Sequence, residues 1–301
     1  MGTTQDPIVV GYDGSTASEV ALKWAAKAAH QSGMSLLIMH TADLFDESQN
    51  PNGGLSNGAD GEAEAKSIAE WGSAIVRKAM PDQPVQIGGA FFSAQIDVQE
   101  LSASTPMVVL GNHGESRIDT LGLAAAAYAI IGYAHCPVVI VQDGISELPG
   151  PGRPVVVGVT DDADRVVDTG AYLAQSWGAP LLLTTTWSAE RTESGDPTES
   201  GDHTESTQAK HTNRQAVARV RAAHEDLNIT GVVLQTEPVE GLTQSASNAG
   251  LLILGARVHS LAGAVLGSTS LGMLLQRKIP VMIVDLNTDP TYSAQEPLGE
   301  S

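Results

Sequence analysis

Short apolar runs punctuate the first half of the chain at Ile8-Val9-Val10-Gly11, Leu36-Leu37-Ile38, Val108-Val109-Leu110-Gly111 and Val138-Val139-Ile140-Val141. No polar residue interrupts them, so they read as strands buried on both faces, the pattern of a parallel sheet. Longer segments between them carry apolar positions at helical spacing. Thr16, Ala17, Ser18 and Glu19 form a capping-box pattern that opens a helix running through Trp24 to a terminating Gly33. Further helices are predicted over Glu62–Ala79, Ile96–Ala103 and Leu121–Ala134. In the second half the helical segments are Ala163–Trp177, Gln208–Leu227, Gly241–Ala249 and Gly263–Lys278, and Val217, Val220, His224 and Leu227 share one face that reads as core packing.

The two halves match in order. Val155-Val156-Val157-Gly158 parallels the first run, Leu181-Leu182-Leu183 the second, Leu252-Ile253-Leu254-Gly255 the third and Val281-Met282-Ile283-Val284 the fourth. Collinear matches at slightly drifting spacing argue for duplication of a whole domain. Pro149, Gly150, Pro151 and Gly152 break any regular element between the halves, which sets domains at 6–143 and 153–286. Alternating strands and helices make each an α/β domain with a doubly wound, five-stranded parallel sheet of order 3-2-1-4-5.

Composition changes this picture in a few places. Hydrophobic residues make up 42% of the 301 positions, enough for packed cores. Asp and Glu number 35 against 16 Lys and Arg, a net charge of -19 that repels nucleic acid and anionic membrane surfaces. Asp43–Asp60 and Ser188–Ser206 are polar and acidic, the latter with Thr-Glu-Ser at Thr192, Thr198 and Thr204, and both are expected to be flexible loops. Leu121–Val141 lacks charged residues and approaches the length of a membrane span, but its alanines, its glycines and Pro137 favour a buried helix followed by a strand. The fourth helix is apolar on nearly every side, and a homodimer or a tight contact between the halves would cover it. Cys136 lies between apolar residues and reads as a buried, inert thiol. Met1–Pro7 has no basic stretch followed by an apolar core, so a cytoplasmic location is expected.

In open α/β sheets ligands bind beyond the carboxyl ends of strands, where the winding reverses. In the first half that place holds Asp13, Gly14 and Ser15 after strand one, Gly111, Asn112, His113 and Gly114 after strand four, and Gly122 opening the fourth helix. Glycines there let backbone approach phosphates, and a helix N-terminus supplies N–H donors. Val10-Gly11-Tyr12-Asp13-Gly14-Ser15 followed by Gly111-x-x-Gly114 resembles the universal stress protein family, in a tandem form similar to actinobacterial members. The resemblance implies an adenine nucleotide alpha hydrolase-like fold, a cytoplasmic stress-response role and ATP bound by these residues, with Asp13 on the polar edge of the nucleoside.

Each half departs from the family pattern differently. Seven residues separate Gly114 from Gly122 where the family has nine, Leu123 stands for its Ser or Thr, and Glu115 and Asp119 add negative charge. In the second half Gly255, Gly267, Ser268 and Thr269 match the phosphate element and Arg257 and His259 lie nearby, but Val258 replaces the second glycine and Thr160 the Asp. ATP or another adenine nucleotide is therefore expected to bind weakly or in one half. A turn or helix-capping role for Asp13 stands beside the ligand role. The 8 histidines show no metal-ligand spacing, and Ser15 and Ser268 have no sequence-evident base. The chain also lacks the Ser-Gly-Gly-x-Asp-Ser loop of the similarly folded ATP pyrophosphatases. No enzymatic activity is expected. Three readings stay open: a regulator that binds adenine nucleotide and an unidentified protein partner, a nucleotide-independent scaffold, and a slow ATPase.

Overall fold

The structure, a computed structural model, describes residues 6–40, 59–88, 95–112, 125–142, 147–188, 199–257, 266–276 and 278–286. They divide into two compact units that split near residue 146. The first contains β1 (Ile8–Gly11), α1 (Thr16–Ser32), β2 (Leu36–Met39), α2 (Ala59–Ala79), β3 (Val85–Ile87), α3 (Gln95–Ala103), β4 (Val108–Gly111), α4 (Ala125–Tyr133) and β5 (Val138–Val141). Its strands are parallel in the order β3-β2-β1-β4-β5. The second contains β6 (Val155–Gly158), α5 (Asp164–Ser176), β7 (Leu181–Trp187), α6 (Glu199–Ala223), β8 (Ile229–Gln235), α7 (Pro238–Ser245), β9 (Leu251–Ala256), α8 (Ser268–Gln276) and β10 (Val281–Asp285). Its strands are parallel in the order β8-β7-β6-β9-β10. Each unit thus has the doubly wound 3-2-1-4-5 winding that the alternation of runs and helices implied.

The apolar runs form the central strands because helices cover both of their faces. Ile8, Val9, Val10 and Val109 in the first unit, and Val155, Val156, Val157 and Leu252 in the second, are fully buried. In the first unit α1 lies across β1 and β4 and buries an alanine-rich side, Ala17, Ala21, Ala25, Ala28 and Ala29, against them. Small residues are required there. A Cβ at Gly111 of β4 would stand 2.9 Å from the carbonyl carbon and oxygen of Ala17 and 3.1 Å from the amide nitrogen of Ser18. Gly33 ends α1 in the left-handed region at φ 68°, as its position in the sequence suggested.

Two helices differ from the sequence reading, α1 and α6. The cap of α1 sits one residue earlier: Ser15 is the N-cap, its side chain accepts from the Ser18 amide, and Thr16 is the first helical residue. Helix α6 starts at Glu199, so the last Thr-Glu-Ser repeat is helical rather than part of a loop. Propagation extends a helix into modest sequence once a buried stretch anchors it. Here Ala209, Thr212 and Asn213 are buried, and the Asn213 side-chain amide donates to Leu183 O at 2.9 Å and Val232 O at 3.2 Å, tying the helix to two strands. The same helix ends at Ala223, so of its supposed core face Val220 is buried while His224 and Leu227 lie beyond the helix and are half-buried.

In α4 the described side chains Ala127, Ile130 and Ile131 are buried and Tyr133 is half-buried. Cys136 is buried. No described helix is long and apolar enough to cross a membrane. Residues 41–58, 121–124 and 189–198 lie outside the described residues, so the loop readings made for the first and last and the helix reading made for 121–124 are not addressed there.

Candidate functional site

Strand β1 pairs with β2 on one side and with β4 on the other, Val9 opposite Val108 and Val10 opposite Val109. The chain leaves β1 for β2 and leaves β4 for β5, in opposite directions, so the winding reverses between β1 and β4. A crevice opens beyond the carboxyl ends of that pair.

The β1–α1 connection is held by its own polar groups. Tyr12 N donates to Met39 O at 2.8 Å and continues the ladder by one bond. Gly14 then turns the chain at φ 87°, a conformation that a side chain disfavours. Asp13 Oδ1 accepts from Ser15 N at 2.9 Å, Ser15 Oγ accepts from Ser18 N at 3.2 Å, and Asp13 N donates to Ser18 Oγ at 3.3 Å. The carboxylate therefore already performs the turn role weighed for it in the sequence. It is half-buried and sits at the mouth of the crevice beside the first turn of α1, where helix N–H groups favour negative charge.

Three neighbours of this loop escaped sequence reading because they arrive from other elements or depend on them. Trp71 of α2 places its ring 3.6 Å from where a Gly14 Cβ would stand, packs edge-on against Tyr12 at 6.4 Å, and remains 57% exposed. His40 follows β2 at the same end of the sheet, its Nδ1 3.2 Å from Tyr12 O. The Tyr12 ring is fully buried under Gly72, and burial first, then the charges of Glu19 and Asp13, push its ionisation above the ordinary tyrosine value. The signal for His40 was its place just after an apolar run. Trp71 gave no signal, since its approach to Gly14 depends on how α2 folds back.

At the end of β4, Gly111 admits the first turn of α1, so its missing side chain serves packing. Asn112 follows it, 1% exposed. His113, Gly114 and Gly122 lie outside the described residues, as do Glu115, Asp119 and Leu123.

The second unit builds the corresponding place differently. Thr160 stands where the first unit has Asp13, and its hydroxyl donates to Asp162 Oδ1 at 2.8 Å. Asp161, in the place of Gly14, accepts from Gln208 Nε2 at 3.2 Å and from the Thr212 hydroxyl, which ties the loop to α6. Ala163 caps α5 without a side-chain bond. Among the described residues the positive-φ glycines are Gly14, Gly33 and Gly178, so this loop lacks the turn seen at Gly14. Beyond β9, however, the phosphate-type residues do converge. Gly267 O accepts from Leu271 N at 3.0 Å, Ser268 and Thr269 open α8, and Ser270 Oγ donates to Gly255 O at 3.4 Å. Gly267 and Ser268 are exposed, with no atom within 4 Å of a Gly267 Cβ position. Gly255 itself makes room for Leu286, whose side chain would lie 2.9 Å from its Cβ. The nucleoside-type acid and the phosphate-type helix start thus belong to different units.

Among the described residues no three of His, Cys, Asp or Glu converge as a metal site would require.

Comparison with known proteins agrees with this architecture. The sequence profile of the universal stress protein family matches residues 5–142 and again 152–285. Universal stress protein Rv2623 of Mycobacterium tuberculosis is 26% identical over 294 residues, covering 94% of this chain and 97% of its own. Universal stress protein Rv2005c of the same organism is 25% identical over 287 residues, covering 93% and 97%. The crystal structure of a universal stress protein from Archaeoglobus fulgidus superposes with a TM-score of 0.66 over 95% of this chain and 100% of that one, at 17% identity, which speaks to the fold. Two profile matches in tandem, on two units of the same winding, mean that this chain belongs to the universal stress protein family and carries its domain twice.

Proposed function

We propose that the protein is a cytoplasmic, non-enzymatic stress-response regulator that binds an adenine nucleotide, ATP foremost, in the crevice between β1 and β4 of its first unit. The observation behind this reading is the conformation of Asp13-Gly14-Ser15 at the switch point: a half-buried carboxylate on a turn that glycine alone makes freely, beside the start of a 17-residue helix. In this reading Asp13 accepts from the nucleoside, and the helix start carries part of the phosphate charge. Gly111, His113, Gly114 and Gly122 complete the first-unit site. Gly255, Gly267, Ser268 and Thr269 form a second phosphate cradle without a carboxylate partner, so it holds nucleotide more weakly.

Regulation then follows from occupancy, which changes the surface offered to an unidentified protein partner. Calorimetric titration of the intact chain with ATP tests this. One dominant binding event per chain is expected, tighter than any at the second cradle, with no phosphate release on prolonged incubation. Steady phosphate release would make the protein a slow ATPase. A second reading, a scaffold that kept the fold and lost the site, is favoured by the second unit, where Thr160 and Asp161 are consumed by internal hydrogen bonds. Absence of heat at millimolar ATP would select it.

A further inference from the structure

Asn112 follows the last residue of β4 and is 1% exposed, yet neither its amide nitrogen nor its amide oxygen finds a hydrogen-bond partner among the described residues. A buried polar group left unpaired costs free energy, so one that a native structure keeps calls for an explanation. The backbone does not explain it. Asn112 N donates to Val141 O at 3.1 Å, which extends the β4–β5 ladder through this residue. Strand alternation then sends its side chain to the face opposite Gly111, away from α1.

The duplicated domain provides an internal control. Gly255 of β9 corresponds to Gly111, so the residue corresponding to Asn112 is Ala256. Ala256 is 4% exposed, and the ladder continues past it, Leu286 N donating to Ala256 O at 2.9 Å. The fold makes this strand end with a methyl group. The amide of the first unit is therefore surplus to folding, and it stands at the crevice where the winding reverses.

We infer that Asn112 is a ligand-reading residue of the first unit and that it contacts the nucleoside rather than the phosphates. This rests on the nucleotide reading given above. A carboxamide presents donors and an acceptor in one plane. A phosphate oxygen accepts but does not donate at neutral pH, so it would satisfy the nitrogen and leave the oxygen orphaned. A ribose hydroxyl or the amino edge of a base satisfies both.

The test pairs calorimetry with thermal melting on the full-length chain, using ATP and adenosine as probes. Asn112→Ala, which copies the second unit, should weaken both probes by about tenfold, the worth of two neutral hydrogen bonds. It should leave the Tm of the ligand-free protein unchanged or higher. Asn112→Ser, which supplies one hydroxyl in place of the carboxamide, should recover part of the affinity. Unchanged affinity for both probes in Asn112→Ala, with ATP still bound by the unsubstituted protein, overturns the inference and spares the nucleotide reading. Loss confined to ATP reassigns the residue to the phosphates and overturns it as well. A lower Tm in both variants makes the amide structural and likewise overturns the inference. No binding of either probe by the unsubstituted protein overturns the nucleotide reading itself, and this inference with it.

Discussion

The hydroxyl of Tyr12 shows how a single side chain near the crevice sets measurable behaviour. The ring is fully buried between β1 and α2, and its oxygen has no hydrogen-bond partner among the described residues. Removing that oxygen should stabilise the protein, since an unpaired buried hydroxyl costs about 1–3 kcal/mol. Tyr12→Phe is therefore expected to raise Tm by a few degrees. The same group gives a pH signature. Burial and the charges of Glu19 and Asp13 hold its native ionisation above the ordinary value of 10.0. As pH rises past that value the unfolded chain releases a proton that the native chain retains, so stability is full below it and falls above it. In Tyr12→Phe that part of the alkaline decline should disappear, which denaturation midpoints measured at rising pH will check. Among single residues the sequence was informative for Asp13, Gly14, Ser15 and Gly111, whose types announce turns and close approaches. It was silent on Tyr12 and Asn112 because an unpaired buried atom is a property of surroundings, and both read as spacers within a motif.

Between elements, contacts of different hardness should respond differently to substitution. Gly111 meets backbone atoms of α1, which cannot rotate away. Gly111→Ala should therefore force α1 off β4 and cost about 1–3 kcal/mol, the usual range for overpacking. Arg219 of α6 reaches Asp168 and Asp164 of α5 at 2.6 and 2.5 Å, but its side chain is 45% exposed. Exposed pairs contribute about 0–1 kcal/mol even with good geometry. Arg219→Ala should cost no more than that, and its effect should vanish in high salt as screening sets in. Urea denaturation of both variants at low and high salt separates the two cases: a large, salt-independent loss for Gly111→Ala and a small, salt-sensitive one for Arg219→Ala. Strands were legible in the sequence because burial on both faces leaves an uninterrupted apolar run. Helix starts were less so. Ser15 and Thr16 are both good caps, and turn geometry at Gly14 decides between them. Glu199 begins α6 because a buried segment downstream anchors the helix.

For the whole molecule, duplication made the architecture readable and made the function harder to read. Two copies of one winding allowed each strand to be checked against its counterpart. The candidate site residues, by contrast, diverged: the carboxylate turn stands in one unit and the serine-led helix start in the other. A net charge of -19 opposes any anionic ligand at long range, so the proposed ATP affinity has to come from contacts at short range. Losing one hydrogen bond to a charged group costs about 1.5–3 kcal/mol, roughly one to two decades in dissociation constant. Calorimetric titration of ATP into the intact protein, Asp13→Ala and Ser268→Ala decides whether the first unit reads the nucleotide. Binding by the intact protein is expected, with a loss of about one to two decades in Asp13→Ala and a smaller loss in Ser268→Ala. A larger loss in Ser268→Ala would move recognition to the second unit, and no binding by the intact protein at millimolar ATP would remove it from both.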